Sequence, residues 1–152
     1  MIFLVRHAKA GSRLDWVGDD HVRPLSKAGR KQAEALATSL AAAGATELYS
    51  SPYLRCIQTL EPLAATIGVP VVVDERLTEG DDFTGALELL ATAHEGAVMC
   101  SHGDLIPATM AALERRGCAI VGEPDWRKAT VWVIQREDGD CVSANVWGPP
   151  PT

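Results

Sequence analysis

This sequence has no C-x-x-C pair, no surplus of basic residues and no apolar run approaching the thickness of a bilayer. Each absence excludes something. The four cysteines, Cys56, Cys100, Cys118 and Cys141, stand apart in apolar or helical contexts, so they read as reduced core thiols rather than a disulfide frame or a zinc site. A net charge of −6 removes the basic face that a nucleic-acid polymer would require. Any anionic ligand must therefore be held by a local pocket. The apolar runs are too short to imply a membrane partner. Met1 leads into an apolar stretch with no basic leader, and a cytoplasmic location is expected.

What is present suits one well-filled domain. The chain has 152 residues, 47% of them apolar and 22% charged, close to the averages of globular proteins. Residues 1–148 are expected to form a single domain, and residues 149–152, with three prolines in a row, a flexible tail. Apolar runs alternate with helix-period segments, which predicts an α/β fold: a three-layer sandwich with a mostly parallel central sheet, helices on both faces and a C-terminal antiparallel hairpin.

In chain order, Ile2 to Val5 read as a buried strand ending in Arg6 and His7, and residues 10–24 as a loop. Ser26 caps a helix to about Ala43 with the stripe Ala33, Leu36, Leu40 and Ala43, and Gly44 ends it. Residues 47–50 form a strand. Ser51 as cap and Pro52 at the first helical position then open a helix with the stripe Tyr53, Ile57, Leu60, Ala64 and Ile67, kinked at Pro62. The valines of residues 69–74 predict a buried strand, residues 86–94 a helix with His94 capping its C-terminal end, and residues 97–100 another buried strand. Asp104 caps a helix whose buried face is Ile106, Met110 and Leu113. Residues 129–135 and 141–146 pair across an Asp138-Gly139 turn.

Three strand ends deliver polar side chains: Arg6 with His7, Ser51 with Arg55, and Ser101 with His102. Ligand crevices in open α/β sheets lie at the C-terminal ends of strands, so these positions can converge. Two arginines and two histidines together need an anion, because unpaired buried cations are strongly disfavoured. A phosphoryl group fits, since a guanidinium fork matches its oxygens. Cysteine-based phosphoryl chemistry and P-loop hydrolysis are not indicated: no cysteine has an arginine six positions on, and G-x-x-x-x-G-K-[ST] is missing, as is H-E-x-x-H.

The segments Leu4-Val5-Arg6-His7-Ala8, residues 50–59 (Ser-Ser-Pro-Tyr-Leu-Arg-Cys-Ile-Gln-Thr), Arg76-Leu77-Thr78-Glu79 and Ser101-His102-Gly103 resemble, in order, the motifs of the histidine phosphatase superfamily, which has the phosphoglycerate mutase-like fold. The compact length resembles its SixA-like phosphohistidine phosphatases, and also the histidine phosphatase domain of actinobacterial Nudix fusion proteins. The resemblance implies a phosphatase working without metal or cofactor. His7 would be the nucleophile, Arg6, Arg55 and a protonated His102 the phosphoryl ligands, and Glu79 the general acid, with Asp81 and Asp82 as alternatives for that last role. Lys9, Ser12 and Arg13 are candidate substrate contacts. Arg76 reads as a surface ion-pair partner and His21 as solvated. The implied partner is a phosphorylated small molecule, a nucleotide or a phosphoprotein. A mutase-type transferase and a non-catalytic phosphate-recognition module are the competing readings.

Overall fold

A computed structural model describes residues 1–151 of the chain. Its seven strands are β1 (Ile2–Arg6), β2 (Glu47–Ser50), β3 (Val71–Val73), β4 (Ala97–Ser101), β5 (Ala119–Ile120), β6 (Val131–Glu137) and β7 (Asp140–Trp147). They form one sheet in the order β3-β2-β4-β1-β6-β7-β5. Only β6 runs against the others, pairing antiparallel with both β1 and β7. The expected mostly parallel sheet with a C-terminal hairpin is therefore present. The hairpin turn is Asp138-Gly139, both with positive φ (52° and 83°), the combination that matches strand twist.

Four helices cover the sheet: α1 (Lys27–Ala42), α2 (Leu54–Ile67), α3 (Thr84–Thr92) and α4 (Leu105–Arg115). Alternation along β1 explains the layering. Phe3 and Val5 point into one core with Leu36 and Leu40 of α1 and Leu60 and Leu63 of α2. Ile2 and Leu4 point the other way, toward Leu89 and Leu90 of α3 and Ile106 and Met110 of α4. β1 is fully buried on both faces, as its unbroken apolar run requires. Among the described residues no helix is long and apolar enough to cross a membrane.

Several local expectations are corrected. The valine run is an edge strand with Val72 and Val73 about half exposed, because the sheet ends there. α2 opens at Leu54 rather than beside Pro52, with Tyr53 as its N-cap residue, and its buried stripe is Cys56, Thr59, Leu60 and Leu63 around Arg55. Ser51 precedes the helix, its hydroxyl accepting from Tyr53 N at 3.3 Å and lying 2.8 Å from His102 Nε2. α3 spans Thr84–Thr92, so His94 lies beyond its end, where its Nδ1 is 2.7 Å from a Glu47 carboxylate oxygen. Asp104 occupies the N-cap position of α4 without capping it, and its carboxylate accepts from Gly80 N at 2.8 Å. The two-residue β5 is too short to leave a periodic signal. In the tail, Pro149 and Pro150 are half-buried and Gln32 Nε2 donates to Pro150 O at 3.5 Å; Thr152 lies outside the described residues.

Candidate active site

The centre of the sheet builds the site. β1 and β4 pair in parallel with Arg6 opposite Ser101, so the next residue of each strand, His7 and His102, emerge together. Their ring centroids are 5.5 Å apart, nearly perpendicular at 65°. β2 borders β4 on its other side and leads into α2, whose first turn brings Arg55 to the same place.

His7 is almost completely buried, and its Nδ1 lies 2.8 Å from the carbonyl oxygen of Ala8. A carbonyl only accepts, so in the neutral ring Nδ1 carries the hydrogen and Nε2 keeps its lone pair. Burial, with added repulsion from His102, Arg55 and Arg6, pushes the His7 pKa down to about 3 against the raising effect of the Ala8 bond. The ring is therefore neutral at physiological pH. Ala8 N is fixed in turn by the hydroxyl of Thr59 on α2, 3.0 Å away.

His102 is fully buried. Its Nε2 is 2.8 Å from Ser51 Oγ and 3.5 Å from Cys56 Sγ, while its Nδ1 has no partner. Arg6 donates to the carbonyl of Trp126, and its guanidinium lies flat against Gly103: a Cβ there would stand 2.6 Å from Arg6 Cζ. The glycine of Ser-His-Gly thus leaves the room that the Arg6 guanidinium occupies. Arg55, buried completely, was expected to need an external anion; the fold supplies internal ones. Its guanidinium donates to Asp20 Oδ2 and Glu79 Oε2, each at 3.1 Å, and lies 4.7 Å from the Tyr53 ring centroid. Of the four buried side-chain nitrogen or oxygen atoms without a hydrogen-bond partner among the described residues, three belong to this group: Arg6 Nε, Arg55 Nε and His102 Nδ1. Unsatisfied buried polar atoms are rare, and three clustered in one place mark a site shaped for a ligand.

A cavity of about 430 Å³ opens over this floor, lined by Arg6, His7, Ser12, Arg13, Glu79 and neighbours. Arg55 and His102, both completely buried, are not among its lining residues. Glu79 faces the cavity with one oxygen on Arg55 and the other 2.8 Å from Arg13. Asp81 and Asp82 do not line it; Asp82 instead accepts from Thr84 N at the start of α3. Lys9 does not line it either. Its backbone is pinned to α1, and its side chain points to solvent. Arg76 pairs at the surface with Asp74 and Glu88. His21, about half exposed, stacks on Tyr53 at 4.0 Å rather than standing free in solvent.

Sequence reasoning missed Asp20, Arg23 and Lys128. Asp20 binds Arg55 and, through its other oxygen at 2.9 Å, the buried Arg23, which also reaches the Gly11 carbonyl. Arg23 and Lys128 line the cavity. The first two lie in an aperiodic loop and the third before a late strand, so no local pattern singles them out.

Against known proteins, residues 2–85 match the model of the histidine phosphatase superfamily (branch 1). An 8-oxo-(d)GTP phosphatase of Mycolicibacterium smegmatis is 37% identical over 155 aligned residues. That alignment takes in 98% of this chain and 48% of the relative, so the chain spans about half the relative's length. Among solved structures, the protein histidine phosphatase SixA complexed with tungstate superimposes with a TM-score of 0.69 at 21% identity, over 99% of this chain and 96% of that one. A mycobacterial glucosyl-3-phosphoglycerate phosphatase gives 0.66 at 21% identity, over 97% and 95%. These two likenesses agree in fold. With the family model covering more than half of its residues, the chain belongs to the histidine phosphatase superfamily, branch 1.

Proposed function

We propose that the protein is a phosphatase that transfers a phosphoryl group from its substrate to His7 and then to water. The observation that carries this reading is the pairing of a neutral, tautomer-fixed histidine with the three unpartnered nitrogens of Arg6, Arg55 and His102 around it. A pocket for recognition alone has no need of a poised lone pair.

In the first step His7 Nε2 forms a bond to phosphorus while the bond to the leaving oxygen breaks. That oxygen takes a proton from Glu79, the candidate acid that lines the cavity. The nitrogens of Arg6, Arg55 and His102 hold the non-bridging oxygens, whose charge is spread in the transition state. In the second step Glu79 removes a proton from water, the water oxygen bonds to phosphorus, the P–N bond breaks, and inorganic phosphate leaves. Glu79 must release Arg55 to act, and the incoming phosphoryl group gives Arg55 a replacement anion.

The substrate is read as a small phosphorylated molecule, with nucleotides first to test because the relative from Mycolicibacterium is named for one. Protein phosphohistidine is the other class. Phosphate release from p-nitrophenyl phosphate, a nucleotide series and a phosphohistidine peptide, compared between the wild type and His7→Ala, tests the reading. Release at the same rate from His7→Ala would sink it, and loss of activity in EDTA would contradict a metal-free mechanism.

A further inference from the structure

Of the cations lining the cavity that the mechanism leaves unused, Lys128 is the one without a partner among the described residues. It lines the same wall as Arg6, Arg13 and Arg23 and is partly buried. Those arginines are all engaged: Arg13 with Glu79, Arg23 with Asp20 and Gly11, and Arg6 with Trp126. Lys128 has no hydrogen bond or ion pair among the described residues. Burial and the positive charges of Arg6, Arg23, Arg55 and Arg13 all lower its pKa.

The backbone around it is held in place at a cost. Ala129 has a φ of 65°, a left-handed conformation that is unfavourable for a residue with a side chain. Its N–H is shared between the carbonyls of Arg6 and His7, both at 3.1 Å, and Arg6 N donates to Thr130 O at the same distance. The Thr130 hydroxyl closes the turn on Arg127 O at 2.6 Å. The turn carrying Lys128 is thus tied directly to the nucleophile's own strand end. Two carboxylates share the cavity lining, but Glu79 is held by Arg55 and Arg13 and Asp104 by Gly80 N, so the ammonium, without a partner of its own on a fixed backbone, gains from an additional anion.

We infer that Lys128 binds a second phosphoryl group, adjacent to the one that His7 accepts, so that the site prefers substrates carrying a diphosphate over simple monoesters. This rests on the phosphatase reading of the site. The transferred group is already served by the nitrogens of Arg6, Arg55 and His102, and a lysine suits a phosphate as a compact point charge with three donors.

The test is the ratio of dissociation constants for inorganic phosphate and inorganic pyrophosphate, measured by titration calorimetry at one salt concentration and at a pH where Lys128 is charged. In the wild type, pyrophosphate should bind about tenfold more tightly or better, the value of one charge-assisted hydrogen bond. In Lys128→Met the ratio should fall to about one, and Lys128→Arg should restore most of it. Equal binding of the two anions by the wild type, or loss of phosphate and pyrophosphate binding to the same extent in Lys128→Met, would overturn the assignment. Calorimetry needs no turnover, so a failed catalytic reading leaves this ratio measurable, and a failed ratio leaves the turnover of His7 intact.

Discussion

At the residue scale the state of His7 is the controlling fact. An ordinary histidine used as a nucleophile would lose activity below pH 6.5. Here burial, abetted by neighbouring cations, depresses the pKa to about 3, so kcat/KM should show no acid limb near pH 6.5 that belongs to this residue. A limb there that vanished with His7 chemistry would contradict the structure. The same shift has a consequence for stability. Between about pH 3 and 6.5 the unfolded chain binds a proton at position 7 that the folded chain does not, so this contribution to stability is full above pH 6.5 and declines as the pH falls, by up to about 1.4 kcal/mol per unit. Urea denaturation at pH 7.5 and 5.0 should accordingly show a larger drop in the wild type than in His7→Asn. Gly103→Ala offers a second check. The added carbon would displace the Arg6 guanidinium, and a shift of about 1 Å is expected to cost about a hundredfold in kcat/KM while thermal stability stays near that of the wild type.

At the scale of elements, the junction between β1 and α1 keeps the strand that delivers His7 in place. Ser26 serves both sides: its hydroxyl accepts from Gly29 N at 3.1 Å to cap α1, and its N–H donates to Lys9 O at 3.0 Å. Ser26→Ala should cost about 1 kcal/mol. Gly29→Ala should cost more, about 1 to 3 kcal/mol, since its Cβ would stand 1.8 Å from the Lys9 carbonyl oxygen and backbone must move. Denaturation midpoints measure both, and a Gly29→Ala protein as stable as the wild type would contradict the close approach of the two segments. Ser26 was legible in the sequence because capping is a local signal. The beginning of α2 was not: Ser51-Pro52 is a good local start, yet in the folded chain the Ser51 hydroxyl sits against His102 and Tyr53 N and the helix opens two residues later. Likewise the valines of β3 carry strand propensity but no information about which strand lies at the edge of the sheet.

For the whole molecule, the alternation of strands and helices made the layered fold readable, and the strand-end rule made Arg6, His7, Arg55 and His102 readable with it. Asp20, Arg23 and Lys128 join them only through the folded chain: each lies in a segment with no periodicity, Asp20 and Arg23 being defined by the partners they meet there and Lys128 by its place in the cavity wall. The outcome is a cationic cavity in a protein of net charge −6. Attraction of an anionic substrate is therefore local and opposed at long range, so KM should rise with salt only modestly, by about threefold or less between 0.05 and 0.5 M. A much steeper rise would indicate long-range steering that this charge distribution does not provide.

In the proposed reaction His7 carries the phosphoryl group in transit. Brief reaction with a turned-over substrate, quenching in alkali to preserve an acid-labile phosphoramidate, and peptide mass spectrometry test it directly. The peptide containing His7 should gain the mass of one phosphoryl group, and the corresponding peptide of His7→Ala none. Turnover with an unmodified His7, or turnover that survives its removal, would contradict it.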